Sequence, residues 1–237
     1  MSNRYHVRRR RSRRTPGRKG LIRCAIVISG AAVFIIIVCI LVSLFTQGKK
    51  IKEEKKKVLP QITIQTKLLE PNKFSRPQIK LNKVKGVVVH YTANPGTDAM
   101  DNRNYFNNLP RINQGKKNPT YASSHFVIGI TGEIVQCIPL EEIAYASKER
   151  NYDTISIECC HPDKTGKFNE VTYRALLELV SYLCIRYDLG AEDVIRHYDV
   201  TGKLCPLYYV KHEDKWNEFL AEIENLIKNN EKNKNRH

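Results

Sequence analysis

The run 24-CAIVISGAAVFIIIVCILVSLF-45 constrains this chain more than any other feature. It holds 22 residues without a charge. About 20 apolar residues suffice to cross the hydrocarbon core of a bilayer. A soluble helix of that length would carry a polar stripe along one side, and this run has none. A cleaved signal peptide is the competing reading, but the apolar stretch is too long and 43-SLFTQGKK-50 lacks a small-residue cleavage pattern. The run therefore reads as a single transmembrane helix over 24–45. Ten Lys/Arg stand in the 23 residues before it, including 8-RRRRSRR-14, with no acid among them. The far side, 49-KKIKEEKKK-57, mixes six lysines with two glutamates. The richer, acid-free flank is assigned to the cytoplasm. The expected arrangement is a single-pass protein of the cell membrane, with a basic cytoplasmic tail over 1–23 and everything from residue 46 outside.

Charge supports that division. The net charge of +16 resolves into +17 over residues 1–80 and −1 over residues 81–237. The part able to fold has no general cationic field for a polyanion, so no nucleic acid is expected as a partner. The arginine block reads as a solvated charge cluster against anionic lipid, with nucleic-acid contact as the alternative. Residues 46–80 are Lys-rich, contain Pro60, Pro71 and Pro77, and show little periodicity. They read as a stalk. Five cysteines lie beyond the apolar run: Cys137, Cys159, Cys160, Cys184 and Cys205. Outside the cell an odd number leaves at least one thiol free or on a metal, and no pairing can be assigned.

A folded domain is expected over 81–230, followed by a charged tail over 231–237. The β-branched run 84-VKGVVVHYTA-93 predicts a buried strand ending at a histidine. A short helix over 98–109 has Asp98 as N-cap. Strands 125-HFVIGI-130 and 133-EIVQCI-138 form a hairpin about Thr131-Gly132. A further strand is 154-TISIECC-160. The spacing of Val171, Leu176, Leu179, Val180, Leu183 and Cys184 predicts an amphipathic helix over 170–190, closed by Gly190. The short strand 193-DVIR-196 delivers His197, and a last helix covers about 212–229. Strands interleaved with helices give an α/β domain with a mixed central β-sheet and flanking helices. A monomer is expected.

The candidate chemistry lies at strand ends. His90 ends the first strand, His197 ends a later one, and Cys205 follows in a loop fixed by Gly202 and Pro206. Two imidazoles and a thiolate can hold a catalytic zinc with the fourth position left for water. The competing reading is a satisfied core histidine beside a buried cysteine. His125, at a strand start, and His161, after 157-IECC-160, compete as ligands.

The segments VVVHYTA, SSHFVIGITGEIVQCIP, TISIEC and RHYDVTGKLCP, in that order, resemble the zinc-dependent N-acetylmuramoyl-L-alanine amidases. That family includes phage amidase-type lysozymes, bacterial autolysins and peptidoglycan recognition proteins. The resemblance covers roughly residues 82–210. It implies zinc (Zn2+) on His90, His197 and Cys205, and cleavage of the amide joining muramic acid to L-alanine in peptidoglycan. Glu158 matches an acidic position in the pattern I-x-I-E-x-C. Lys203 matches a lysine two residues before the cysteine ligand. The implied roles are general acid/base for Glu158 and oxyanion stabilisation for Lys203. A solvated strand-end glutamate and a solvated lysine are the plainer alternatives. Tyr91, Thr92, Asn94 and Asn104 are candidate substrate contacts.

The chain departs from the pattern twice. Ser124 stands where several relatives place a tyrosine, and 144-AYAS-147 stands where lysins often read Ala-Trp-His-Ala. The second departure removes a histidine that could touch substrate. Two further readings remain: a peptidoglycan-binding module without catalysis, and a peptidase cutting within the stem peptide.

Overall fold

The computed structural model describes residues 36–43 and 59–234. Two compact units are present, Met1–Lys56 and Lys57–His237. In the first, residues 36–43 are helical, with Ile36, Ile37, Ile40 and Leu41 exposed. The rest of the span expected over 24–45 lies outside the described residues, as do the tail 1–23 and residues 235–237. Among the described residues no helix is long and apolar enough to cross a membrane.

The second unit is built on a six-stranded mixed sheet. In chain order its strands are β1 (Gln65–Thr66), β2 (Gly86–Tyr91), β3 (Phe126–Ile128), β4 (Ile134–Gln136), β5 (Thr154–Cys159) and β6 (Val194–Arg196). They lie in the order β1-β4-β3-β5-β2-β6. Only the β3–β4 hairpin is antiparallel, and the other pairings are parallel. β2 is central, flanked by β5 and β6, which explains its unbroken apolar run Val87, Val88, Val89. Parallel strands buried on both faces read as continuous rather than alternating hydrophobes.

Side chains alternate across the sheet and feed two cores. On one face α3 (Glu170–Tyr187) and α6 (Glu213–Lys234) pack Leu179, Val180, Leu183, Trp216, Phe219 and Ile223 over Val87, Val89, Ile155 and Ile157. Each fully buried side chain of this kind contributes roughly 1.5–3 kcal/mol. On the other face α1 (Ala99–Asn107), followed by the single-turn α2 (Leu109–Ile112), sets Ala99 and Phe106 against Val127, Val135 and Cys160. Asp98 caps α1 as its sequence predicts, accepting from the Asp101 N–H at 2.8 Å. Asn169 caps α3, accepting from the Thr172 N–H at 2.9 Å. Gly132 sits in the hairpin turn at φ +84°, and a Cβ there would come within 2.7 Å of Val171, so the turn needs glycine twice over.

Several boundaries differ from expectation. The stalk expected over 46–80 does not extend to residue 80. Leu69 and Leu81 are buried, β1 pairs with β4, and Arg76 makes a bidentate pair with Glu142 at 2.8 and 2.9 Å. Sparse apolar residues in a polar segment hid this, because each reaches the core singly rather than along a periodic face. Helix α3 ends at Tyr187 with Asp188 as its cap, not at Gly190. Asp188 takes the left-handed conformation at φ 59° and its N–H bonds the Cys184 carbonyl; aspartate tolerates that region better than most residues. Helix α6 runs on to Lys234, into the expected tail.

Candidate metal centre

Two neighbouring parallel strands and the loop after a third element bring the predicted ligands together. His90 is the penultimate residue of β2. His197 opens the short helix α4 (His197–Thr201), directly after β6. Because β6 pairs with β2 in register from Val87 to Val89, the two histidines leave the sheet side by side at its carboxyl end, where ligands of open α/β sheets bind. Arg196 fixes the corner between β6 and α4. Its buried guanidinium pairs with Asp199 at 2.8 Å and Glu213 at 2.9 Å and bonds the Tyr209 carbonyl at 3.1 Å. The loop that carries Cys205 is tied to the same corner, with the Tyr198 N–H donating to the Cys205 carbonyl at 2.9 Å. It then enters α5 (Leu207–Lys211).

The three donor atoms converge. His90 Nδ1 lies 3.1 Å from His197 Nδ1 and 3.8 Å from Cys205 Sγ. All three lie within 4.8 Å of one another. Zinc–nitrogen and zinc–sulfur bonds at tetrahedral angles place such atoms about 3.3 and about 3.6 Å apart. The spacing and the N₂S donor set fit that ion. Burial holds His90 well below the ordinary imidazole range and lowers His197 as well, with the Lys203 charge acting in the same direction on both. Burial and the nearby Glu158 push the Cys205 thiol up to about 12.

Glu158 is the Cα partner of His90 across β5 and β2. Its Oε2 is buried with no hydrogen-bond partner, and burial pushes its carboxyl up to about 8 against the opposing pull of Lys203. A buried carboxyl oxygen left without a donor normally costs about 1–3 kcal/mol, more when charged. Lys203 lines an open cleft of about 640 Å³ together with His197, Lys148, Asn151, Tyr121 and Tyr145. Tyr121 and Tyr145 meet edge to face at 5.8 Å. The cleft wall carries two lysines and no carboxylate.

The other candidates are placed elsewhere. Tyr91 follows His90, its ring 5.1 Å from that of His161. Thr92 Oγ1 is buried without a partner. Asn94 is exposed in a turn, its carbonyl accepting from Thr97 Oγ1 at 2.7 Å. Asn104 is exposed on α1, beside Arg103 at 3.2 Å. None of the four lines the cleft. Of the competing histidines, His125 is spent on Ser156 and the Glu142 carbonyl. His161 Nδ1 donates to the Asp163 carbonyl at 2.7 Å. Sequence reasoning missed Ser147, buried 3.2 Å from His90 Nε2, and the wall formed by Tyr121, Tyr145, Lys148 and Asn151. The departure at 144-AYAS-147 was the available signal for both.

Comparison with known proteins places this geometry. The family described as N-acetylmuramoyl-L-alanine amidase matches residues 80–207. A probable N-acetylmuramoyl-L-alanine amidase of Bacillus licheniformis is 35% identical over 168 residues, covering 66% of this chain and 46% of that protein. The amidase BlyA of Bacillus subtilis (strain 168) is 32% identical over 169 residues, covering 62% and 43%. The chain thus spans about half the length of the curated relatives it matches. Among solved structures, PlyL superposes with a TM-score of 0.57 at 25% identity, covering 69% of this chain and 98% of PlyL. A mutant endolysin from Bacillus subtilis gives 0.57 at 28%, covering 69% and 99%.

Proposed function

The chain belongs to the N-acetylmuramoyl-L-alanine amidase family, and from that premise we propose that it is a zinc-dependent hydrolase that cleaves the amide between N-acetylmuramic acid and L-alanine in peptidoglycan. The observation that carries this reading is the convergence of His90, His197 and Cys205 on one point. A hydrogen bond between two core histidines would account for the 3.1 Å contact alone. It would not call for a cysteine sulfur aimed at the same nitrogen.

Bound to His90, His197 and Cys205, zinc would supply Lewis acidity toward the amide carbonyl and make a water easier to deprotonate near neutral pH. The remaining work falls to the chain. Glu158, with its proton exchange moved into the neutral range, takes a proton from the attacking water and returns it to the leaving amine. Lys203 offers its ammonium to the oxyanion from the cleft wall. The Tyr121–Tyr145 wall and Asn151 hold the substrate against the half-buried His197.

Mass analysis of products released from peptidoglycan by the full chain tests this. The expected product is an intact stem peptide with a free L-alanine amine. Fragments cut inside the stem would replace the reading with that of a peptidase. Zinc bound without any release would replace it with that of a binding module.

The membrane assignment belongs to the same proposal. The uncharged run 24–45 and the acid-free basic flank before it support a single-pass anchor in the cell membrane, N-terminus in the cytoplasm and amidase domain outside. Protease added to intact cells should then digest the domain and spare the tail; a protected domain would overturn this topology.

A further inference from the structure

We propose that Ser147 is a positioning residue that decides which nitrogen of His90 faces the metal, an inference that rests on the zinc reading above. Ser147 is 1% exposed and held rigidly. Its N–H donates to Asn151 Oδ1 at 2.6 Å, the Ala146 N–H donates to the same oxygen at 3.0 Å, and its carbonyl accepts from the Arg150 N–H at 3.0 Å. Lys148, next in the chain, takes the left-handed region at φ 50°. The Ser147 hydroxyl just before it points toward His90. A non-glycine residue in the left-handed region stores strain, which persists where surrounding contacts dictate it.

The hydroxyl oxygen lies 3.2 Å from His90 Nε2. The opposite ring nitrogen, Nδ1, is the one that meets His197 and Cys205. To offer a lone pair at that point, Nδ1 must be bare. A neutral imidazole carries one N–H, so the proton then sits on Nε2 and needs an acceptor. His90 is 1% exposed, and Ser147 Oγ is the acceptor in place.

With the proton on Nδ1 instead, His197 Nδ1 accepts it at 3.1 Å and the Ser147 hydroxyl donates to the bare Nε2, so Ser147 holds the ring in the same orientation in either tautomer. Loss of the hydroxyl therefore leaves Nε2 unpaired and frees the ring from the orientation that aims Nδ1 at His197 and Cys205. Metal affinity falls, and the metal-free fold loses one buried hydrogen bond. Loss of such a partner typically weakens metal binding about 10–100-fold.

The test measures zinc affinity of the full chain by competition with a chromophoric chelator at fixed pH, for the parent, Ser147→Ala and Ser147→Thr. Thermal unfolding of each metal-free form accompanies it. Ser147→Ala should raise the zinc Kd about 10–100-fold and lower the metal-free Tm only by the loss of one buried hydrogen bond. Ser147→Thr, which keeps the hydroxyl, should restore most of the affinity. Nitrogen-15 spectra of the loaded parent should show His90 protonated at Nε2. A Ser147→Ala form that binds zinc as tightly as the parent overturns the inference, and so does a proton on Nδ1 in the loaded parent. An affinity loss matched by an equal loss of metal-free stability, unrescued by threonine, assigns Ser147 a packing role instead. A parent that binds no zinc removes the zinc reading itself.

Discussion

His90 and Glu158 face each other at one level of the sheet, as Cα partners in the parallel pairing of β2 with β5. The strand that carries the proposed metal ligand thus lies beside the strand that carries a buried carboxyl. Neither position can slip relative to the other without moving the whole ladder, because a one-residue shift would turn the slipped strand's side chain to the opposite face. The sheet register itself sets the distance between His90 and Glu158.

Glu158→Gln separates the catalytic from the structural consequence of that placement. Turnover should fall about 10²-fold or more, the usual scale for loss of a general acid/base. Stability of the metal-free protein should move the other way. Burial pushes the Glu158 carboxyl up to about 8, so its neutral form suits the fold. The stability it allows is fully present below the ordinary carboxylate range and lost as pH rises through about 8. The glutamine form should therefore match the parent at pH 4 and exceed it by about 2 kcal/mol or more at pH 8.5, since one pKa unit is about 1.4 kcal/mol. Chemical denaturation at the two pH values measures this.

Zinc loading should expel the Cys205 proton. The thiol is pushed up to about 12, while both histidines are held below the ordinary range and are neutral near pH 7.5. One ligand proton is lost per ion, so apparent affinity should rise about tenfold per pH unit between pH 7 and 8.5. Cys205→Ser should weaken binding severely and remove that slope. Chelator competition across the range is the measurement.

Lys203→Met should lower kcat by about 10²-fold, the scale for one lost oxyanion donor, and leave zinc content at one per chain. Lys203 is exposed, so its removal leaves the fold intact. Steady-state kinetics with metal analysis on the same sample separates this outcome from loss of the ion.

Leu69→Ala should cost about 2–5 kcal/mol, as for other fully buried leucines. The residue is 1% exposed and packs with Val127 and Val135 beneath α1. A chain beginning at residue 82 should be destabilised further, because it also loses β1 and the Arg76–Glu142 pair. Urea midpoints of these forms report whether residues 59–81 belong to the domain.

The parts of this molecule legible in its sequence share one property: their signal is local. The Val87–Val89 run, the hairpin around Gly132 and the α3 periodicity each state their structure within a few residues. The ligand triad emerged because two of its members end apolar runs and the third sits beside Gly202 and Pro206. What stayed hidden depends on contacts far along the chain. Leu69 and Arg76 join the domain through partners far along the chain: Leu69 packs with Val127 and Val135, and Arg76 pairs with Glu142, 66 residues on. Asn94 and Asn104 are plausible donors by type, yet they stand away from the cleft, whereas Asn151 lines it because the 3₁₀ turn of residues 148–152 carries it there. The missing histidine of 144-AYAS-147 falls at Ala146, and nothing local shows that the hydroxyl of the next residue, Ser147, lies against the first ligand.

Release of stem peptides from peptidoglycan by the full chain, before chelation, after it, and after return of one equivalent of zinc, tests the central claim most directly. Release should stop when the metal is stripped, resume on zinc addition, and never resume in His197→Ala. Release that continues undiminished in the stripped protein would contradict the account, whatever its products.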